Sequence, residues 1–548
     1  MERPQRWSTP FGEDMTQADV ESLLRRPDIA AIEADNFPKH TPLQGVLLND
    51  TRIVRFRAGD IVVREGDYGN SAFLVLEGSL RVVLAPELPH SLLGRQQTGK
   101  KGFFEALSQL WTNSTVPEVR DISRYQGQGL RGGSDSANAR VFLQDVPAVL
   151  DKHRTAKLED GALFGELAAL GRVPRTATIF AEQESALLEI RWQGLRELRK
   201  YDEGWRRMID QRYRENALKT HLQESVMFSR LDENALQAVV DKVLFETYGA
   251  FDWNVAFQRQ RQSGNAKEPV IAKQGEYPDG VLMIRAGFAR VSVKHGNGER
   301  TLTYLGAGDH FGLGELYTAW KNPEVPDIAL YTTLTALGYV DVIRVPAPVL
   351  EEHVFPFMEQ PTSTTMDIAS KPVADDAMME WAVEERFINA TRSMVIDLDR
   401  CVRCDDCVRA CASTHGGNPR FRRHGRTFDN IMVANACMHC ADPVCMIGCP
   451  TGAIHRTVES GIVVINDLTC IGCATCANSC PYNNIAMVAI RTKDGHTIAD
   501  PNTGKPIFKA TKCDFCDNSP GGPACVRACP HGALRRVHFQ EFNPTGAG

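Results

Sequence analysis

The sequence predicts a multidomain chain: two turn-rich, antiparallel β-barrels with flanking helices, then a separate α+β domain organised by cysteines. Three observations carry this. The 548 residues, 43% hydrophobic and 24% charged, have an ordinary globular composition but are too many for one core. Lys273–Val291, "KQGEYPDGVLMIRAGFARV", aligns without gaps on Arg64–Val82, "REGDYGNSAFLVLEGSLRV", which marks a tandem domain. All sixteen cysteines fall between Cys401 and Cys529. The net charge of −6 singles out no class of partner. No run of eighteen apolar residues suggests a membrane span. The opening "MERPQRWSTPFGEDM" has neither an apolar signal core nor paired arginines, so a cytoplasmic location is expected.

Residues 1–45 read as an N-terminal arm and 46–215 as the first barrel. Arg55–Leu84, "RFRAGDIVVREGDYGNSAFLVLEGSLRVVL", alternates apolar residues at strand spacing and is broken by Gly59, Gly66, Gly69 and Gly78. An insertion over about 87–159 interrupts it. There "GKKGFFEALSQLWTNS" reads as a short amphipathic helix and "QGQGLRGGSDSANAR" as loop, either a partner-binding arm or a disordered segment. Then comes Gly161–Ala181, "GALFGELAALGRVPRTATIFA". The second copy, 216–355, enters through a helical stretch, Ser229–Val243, and has its own counterpart of that segment in Phe311–Ala336. Residues 356–390, beginning "PFMEQPTSTTMDIASKPVADDAM", are rich in Pro, Ser and Thr and read as a linker before the domain 391–548.

The two stretches of the first barrel together resemble the cyclic-nucleotide-binding domains of the catabolite activator protein and of protein kinase regulatory subunits, which are jelly-roll-like. The resemblance makes Gly161–Ala181 the phosphate-binding cassette. A short helix starting near Gly165 then offers backbone N–H groups to an anion. Arg175 makes a bidentate contact with the cyclic phosphate. Glu166 accepts from the ribose 2′-hydroxyl. The nine-residue step from Glu166 to Arg175, and Ala177 and Thr178 after it, follow the family's spacing. Thr176 is the residue type of guanine-preferring relatives, so cyclic GMP joins cyclic AMP as an expected ligand. The opposing reading is a degenerate cassette kept for structure. In the second copy Glu315 remains, no arginine follows before Ala336, and Asp327 sits about where one belongs. A carboxylate there repels phosphate, so this copy is expected to be empty and to serve as a contact surface.

The cysteines form four groups of four. Cys401, Cys404, Cys407 and Cys411 have the spacing C-x2-C-x2-C-x3-C, as do Cys470, Cys473, Cys476 and Cys480, with Pro481 following. Cys437, Cys440, Cys445 and Cys449, then Pro450, have a four-residue middle spacer. Cys513, Cys516, Cys525 and Cys529, then Pro530, have an eight-residue one. Disulfides need an oxidising compartment, and zinc sites use two Cys-x2-Cys pairs with no role for a third cysteine three further on. The spacing is that of iron–sulfur proteins: three thiolates wrap one cubane and the fourth, turned away by proline, reaches another. Sixteen thiolates make four [4Fe–4S] clusters with none left over. The strand-like "SMVIDL" and "GIVVIND" each lead into a motif, giving a ferredoxin-like polyferredoxin domain.

Residues from about 392 to 537 resemble the four-cluster electron-transfer subunits of dimethyl sulfoxide reductase, formate dehydrogenase and [NiFe] hydrogenases. The resemblance implies that motifs exchange their last cysteines. One cluster takes Cys401, Cys404, Cys407 and Cys529, and its partner Cys513, Cys516, Cys525 and Cys411. The inner pair takes Cys437, Cys440, Cys445 and Cys480, then Cys470, Cys473, Cys476 and Cys449. From Thr391 onward, 17 Lys and Arg against 13 Asp and Glu leave +4, whereas the preceding residues, at 45 against 55, carry −10. A positive excess suits the negative charge of thiolate-bound cubanes. His439, His455 and His531 read as neighbours of the ligands or surface residues, since the cysteine sets are complete without them.

No nicotinamide, flavin or triad signature appears, so the chain is not expected to turn over a substrate alone. It reads as the electron-relay subunit of a hetero-oligomer. The expected partners are catalytic oxidoreductase subunits of molybdopterin, [NiFe] hydrogenase or flavin-dependent NAD(P)H type, with no nucleic acid and no direct membrane span. The alternative is the same wire with vestigial barrels acting as an assembly scaffold. A redox-sensing transcription factor would need a helix-turn-helix, which Glu359–Phe387 does not show, and one cluster rather than four.

Overall fold

The structure is a computed structural model. It describes residues 15–85, 113–120, 153–358 and 376–539, apart from gaps of one to four residues, and the single positions 108, 146 and 150. The chain divides into two compact units, Met1–Arg207 with Thr391–Gly548, and Met208–Ala390.

The first unit opens with helices Gln17–Leu23 and Pro27–Ala30, which bury Val20, Leu23 and Ile29. Thr16 and Asp19 form a capping box, with the Asp19 N–H donating to Thr16 Oγ1 at 3.2 Å and the Thr16 N–H to Asp19 Oδ2 at 2.8 Å. The stretch read as an arm is thus helical, and Arg26 Nη1 ties it to Leu76 O at 2.9 Å. Two antiparallel four-stranded sheets follow. One runs Thr51–Phe56, Ser185–Arg191, Ser71–Glu77, Leu163–Phe164, and the other Ile61–Val63, Ile179–Ala181, Leu80–Ala85, Arg154–Leu158. Phe56, Phe73, Leu80, Ile179 and Leu187 meet in the core between them. Gly78 sits at a φ of +100, and a Cβ there would lie 2.4 Å from Ser185 Oγ, so only glycine turns that corner.

The insertion read over 87–159 ends earlier than its spacing suggests, because Arg154–Leu158 pairs with Leu80–Ala85 as a sheet strand. Most of the stretches read as amphipathic helix and as loop lie outside the described residues. Residues 113–120 lie against the cysteine domain. Asn113 Nδ2 donates to Ser413 O at 2.8 Å, the Glu118 N–H to Asn418 Oδ1 at 2.6 Å, and the Arg120 N–H to Arg491 O at 2.9 Å.

In the second unit the strand order repeats: Val270–Ala272, Thr333–Ala336, Ala289–His295, Gly298–Leu305, and His310–Phe311, Gly280–Ala286, Val340–Pro346, Leu244–Tyr248. The entry helix is Glu233–Lys242, where Asp232 accepts from the Ala235 N–H at 2.8 Å and Leu236, Val239 and Val240 are buried. The segment read as a linker holds helix Asp376–Glu384, whose Val383 packs with Ile388 and Leu337. Its apolar "AMMEWAV" outweighs the Pro/Ser/Thr composition before it.

The cysteine domain has one four-stranded antiparallel sheet, ordered Arg422–Phe428, Ile431–Asn435, Ser393–Asp397, Leu534–Val537, and two ribbons, Ile454–Arg456 with Val463–Ile465 and Ala486–Ala489 with Phe508–Thr511. Arg191, at the end of a β-domain strand, holds Asp50 Oδ1 through Nε at 2.5 Å and Pro450 O through Nη1 at 3.1 Å, with both side chains buried. Arg191→Met removes that charge from beside Asp50. It is expected to cost about 3 kcal/mol in urea denaturation, with most of the loss recovered in Arg191→Met/Asp50→Leu. A single-mutant cost below about 1 kcal/mol would show that this pair does not hold the unit together.

Candidate functional site

Each cysteine motif bends in the same way. The residue before its second cysteine is left-handed: Arg403 at φ 60, His439 at 47, Gly472 at 71 and Phe515 at 61. Three of these carry side chains that pay for that conformation, which persists only where the surroundings demand it. The turn curls the first two cysteines inward. Helices Asp406–Thr414 and Thr475–Ser479 then begin, each after a second left-handed residue, Asp405 or Ala474, and present Cys407 and Cys476. Cys411 follows Cys407 by one turn on the same face. Cys480 caps its helix in extended conformation, φ −70 and ψ 114, and Pro481 keeps the chain from continuing as helix.

The thiols gather across motifs. Cys437, Cys440, Cys445 and Cys480 line one cavity. Cys476 lies within electrostatic reach of Cys449, Cys470 and Cys473. Cys411 faces Cys513, Cys516 and Cys525. The last set is more loosely drawn: Cys407 faces Cys525 and Cys529, Cys401 and Cys529 pack on the same core, and Cys404 is exposed. Burial pushes the Cys480 thiol up to about 11 and Cys516 to about 12, and Cys440 and Cys445 rise further through burial and their neighbouring thiols. Without iron these groups are protonated; bound iron is what makes them thiolates.

Buried cations, which the motif spacing does not reveal, brace the loops. Arg456 donates through Nη2 to Cys440 O at 2.7 Å and Ala441 O at 2.8 Å. Lys509 Nζ holds Asp467 O at 2.9 Å and Cys470 O at 2.5 Å. Lys512 Nζ holds Val463 O and, at 3.0 Å, Cys513 O. Arg536 Nη2 lies 3.0 Å from Cys513 Sγ. His415 bridges Cys411 O at 2.7 Å and Asp514 Oδ1 at 2.9 Å, and with Cys516 forms a compact His–Asp–Cys group beside the same set.

Of the three histidines marked in the sequence, His531 is exposed and His455 half-buried, with Nδ1 3.2 Å from Ala453 O. His439 is 1% exposed, and neither ring nitrogen has a partner among the described residues. It stands edge-on to Phe515, near Lys512, Arg536 and Arg456, none of which accepts a hydrogen bond, and near Asp514, whose Oδ1 is engaged by His415 and the Cys516 N–H. A sulfur of an iron–sulfur cluster is the acceptor this site lacks, so the residues fit the group.

A family model described as a 4Fe-4S dicluster domain matches residues 428–538. "Electron transport protein HydN" of Escherichia coli strain K12 is 35% identical over 168 residues, which are 28% of this chain and 93% of that protein. The chain belongs to the iron–sulfur electron-transfer proteins through this domain. "Formate hydrogenlyase subunit 2" of the same strain is 31% identical over 27% of this chain and 81% of that subunit. "NADH-dependent phenylglyoxylate dehydrogenase subunit beta" of Aromatoleum evansii is 34% identical over 27% of this chain, but the chain spans only 30% of that subunit. Among the described residues of this iron–sulfur protein, no helix is long and apolar enough to cross a membrane.

A second model, described as a cyclic nucleotide-binding domain, matches residues 266–353, the second β-domain. In the first, the structure brings Gly165, Glu166 and Arg175 together and leaves Thr176 exposed. Arg175 is 5% exposed and donates through Nη1 to Gly165 O and through Nη2 to Ser71 O, both at 2.7 Å. The helix after Gly165 is short, Glu166–Gly171. Asp327, expected opposite Arg175 in the second copy, lies outside the described residues. Leu330 holds that position, since its backbone repeats the bonds of Arg175 to the preceding turn.

Lys512→Met removes a cation from beside the cysteine loops and leaves two carbonyls without their donor. The variant is expected to lose about 1–3 kcal/mol of stability. Its midpoint potential in a titration followed by electron paramagnetic resonance should fall, because the reduced state carries more negative charge. A potential that rises or stays level would contradict this role.

Proposed function

We propose that this chain is an electron-relay subunit that hands single electrons between catalytic oxidoreductase partners through four [4Fe–4S] clusters. The carrying observation is the crossing of three motifs' last thiols, Cys480, Cys449 and Cys411, each toward another motif's three, with Cys529 near Cys407. That arrangement supports ligand sets of Cys401, Cys404, Cys407 and Cys529; Cys513, Cys516, Cys525 and Cys411; Cys437, Cys440, Cys445 and Cys480; and Cys470, Cys473, Cys476 and Cys449. Bound there, each cluster takes up and releases one electron. The chain's own residues set the conditions. The left-handed turns place the thiols, the buried Lys and Arg offset negative charge, and the crossed cysteines tie neighbouring sets together. Partners of hydrogenase, formate-oxidising or NAD(P)H-linked type are supported by the names of the relatives, in a hetero-oligomer.

The same reading takes both β-domains as barrels of the cyclic-nucleotide fold and gives the first a regulatory role, with cyclic AMP or cyclic GMP as ligand. Arg175 shares backbone bonds with the turn at Gly66 and Asp67, each 2.8 Å, and Tyr68 of that turn bridges to Pro174. The Tyr68 ring lies under the Arg456 guanidinium at 5.6 Å, and Arg456 holds the Cys440 carbonyl. A ligand that shifts Arg175 therefore has a short mechanical route to one cysteine loop, and it regulates only if it favours one of two arrangements. The scaffold reading draws on the bonds Arg175 already makes to Gly165 and Ser71.

Cys449→Ser and Cys476→Ser are expected to alter the same resonance in the electron paramagnetic spectrum of the reduced protein, and mutants that lose different clusters would overturn the crossing. In isothermal titration the chain should bind a cyclic mononucleotide, and Arg175→Ala should weaken it by roughly 2–3 kcal/mol, about 30- to 150-fold. No heat at millimolar ligand would leave the scaffold role.

A further inference from the structure

The second β-domain rebuilds the backbone bonds of the first cassette with Leu330 in place of Arg175. The Gly275 N–H donates to Leu330 O at 2.9 Å and the Leu330 N–H to Glu276 O at 2.8 Å, as Gly66, Arg175 and Asp67 do in the first domain. The Gln274 N–H meets Thr333 Oγ1 at 3.0 Å, as the Glu65 N–H meets Thr178 Oγ1 at 3.0 Å. Gly312, at φ +84, stands for Gly165, at φ +77. A Cβ on Gly69 would come within 2.2 Å of the Arg175 guanidinium, whereas its counterpart in the second domain is Pro278, which lines the cavity with Leu330.

Where the guanidinium sits in the first domain, the second keeps a cavity of about 380 Å³. Ile271, Leu282, Phe311 and Leu330 give it apolar walls, with Glu276 and Arg344 as its charged residues beside Asp279. The volume is that of a small-molecule site. Arg344 is engaged by Glu246, through Nε at 2.6 Å and Nη2 at 2.9 Å, and by Asp279. Two carboxylates thus neutralise the cavity's cation, and Glu276 adds a negative charge, so a phosphate is repelled on balance. The carbonyls that match the acceptors of Arg175 are those of Gly280 and Gly312. Gly280 O and Leu330 Cδ2 lie 3.6 and 3.8 Å from where a Cβ on Gly312 would stand. Acceptor oxygens in a cavity of mixed polar and apolar walls with a net acidic charge suit a flat ligand with N–H or O–H donors and no phosphate.

We propose that the second β-domain binds an uncharged, nucleoside-sized ligand and discriminates against cyclic nucleotides. The site is independent of Arg175. Isothermal titration of the full chain with adenosine and with guanosine is expected to show saturable binding of at least one. That binding should persist in Arg175→Ala and weaken more than about tenfold in Leu330→Trp, which fills the cavity. If Leu330→Trp loses its native circular dichroism, Leu330→Arg serves instead, since its guanidinium would take the two carbonyls as Arg175 does. The proposal fails if neither nucleoside saturates up to millimolar concentration, if binding disappears in Arg175→Ala, or if a folded Leu330 variant binds unchanged.

Discussion

The cysteine domain rests on one constraint: thiols that must face one another inside a low-dielectric interior and become thiolates there. Burial, with neighbouring thiols adding to it, drives Cys407 up to about 11, and Cys411 and Cys476 further. Metal-free, the thiols are neutral; thiolates on iron are dense with negative charge. The rest of the domain answers that change. Arg456, Lys509 and Lys512 are buried where few cations are found, Arg536 is half-buried, and each holds a carbonyl or sulfur of a cysteine loop. Their charge balances the cluster and their N–H groups fix the loop, so electrostatics and geometry are served by the same atoms.

The crossed arrangement also explains why so little regular structure suffices. Three small sheets and a few short helices make up the domain, and its core includes Cys407, Cys411, Cys437, Cys513 and Cys525 beside Met394, Ile396 and Phe421. In the proposed ligand sets, each motif whose last thiol belongs to another set acts as a staple between distant segments. The first β-domain shares this unit through Arg191, which holds the carbonyl of Pro450 directly after Cys449, and through Tyr68 on Arg456. Both contacts touch segments that place cysteines, so the β-domain and the wire are coupled at the residues that matter to each.

Much of this was legible in the sequence because it is written in residue type and spacing. Cysteine counts and the prolines after three motifs announce the clusters, and the gap-free repeat announces the second β-domain. What stayed hidden depends on conformation. Nothing in the letters Arg403, His439 or Phe515 advertises a left-handed backbone, since the surrounding loop imposes it. Lys509 and Lys512 look like ordinary surface lysines until the fold buries them. The sequence alone points to Asp327 as the counterpart of Arg175; the fold places Leu330 there, because the stretch after Glu315 is longer and only the backbone bonds restore the register. The strand Arg154–Leu158 does not stand out from the insertion before it because "RTAKL" is short, mostly polar and without clean alternation.

The electron-relay role depends most on all sixteen cysteines being cluster ligands. Iron and acid-labile sulfide, measured on anaerobically purified full-length protein against quantitative amino-acid analysis, test that directly. Four cubanes require about sixteen of each per chain. Iron near eight per chain, or stoichiometric zinc, would contradict it.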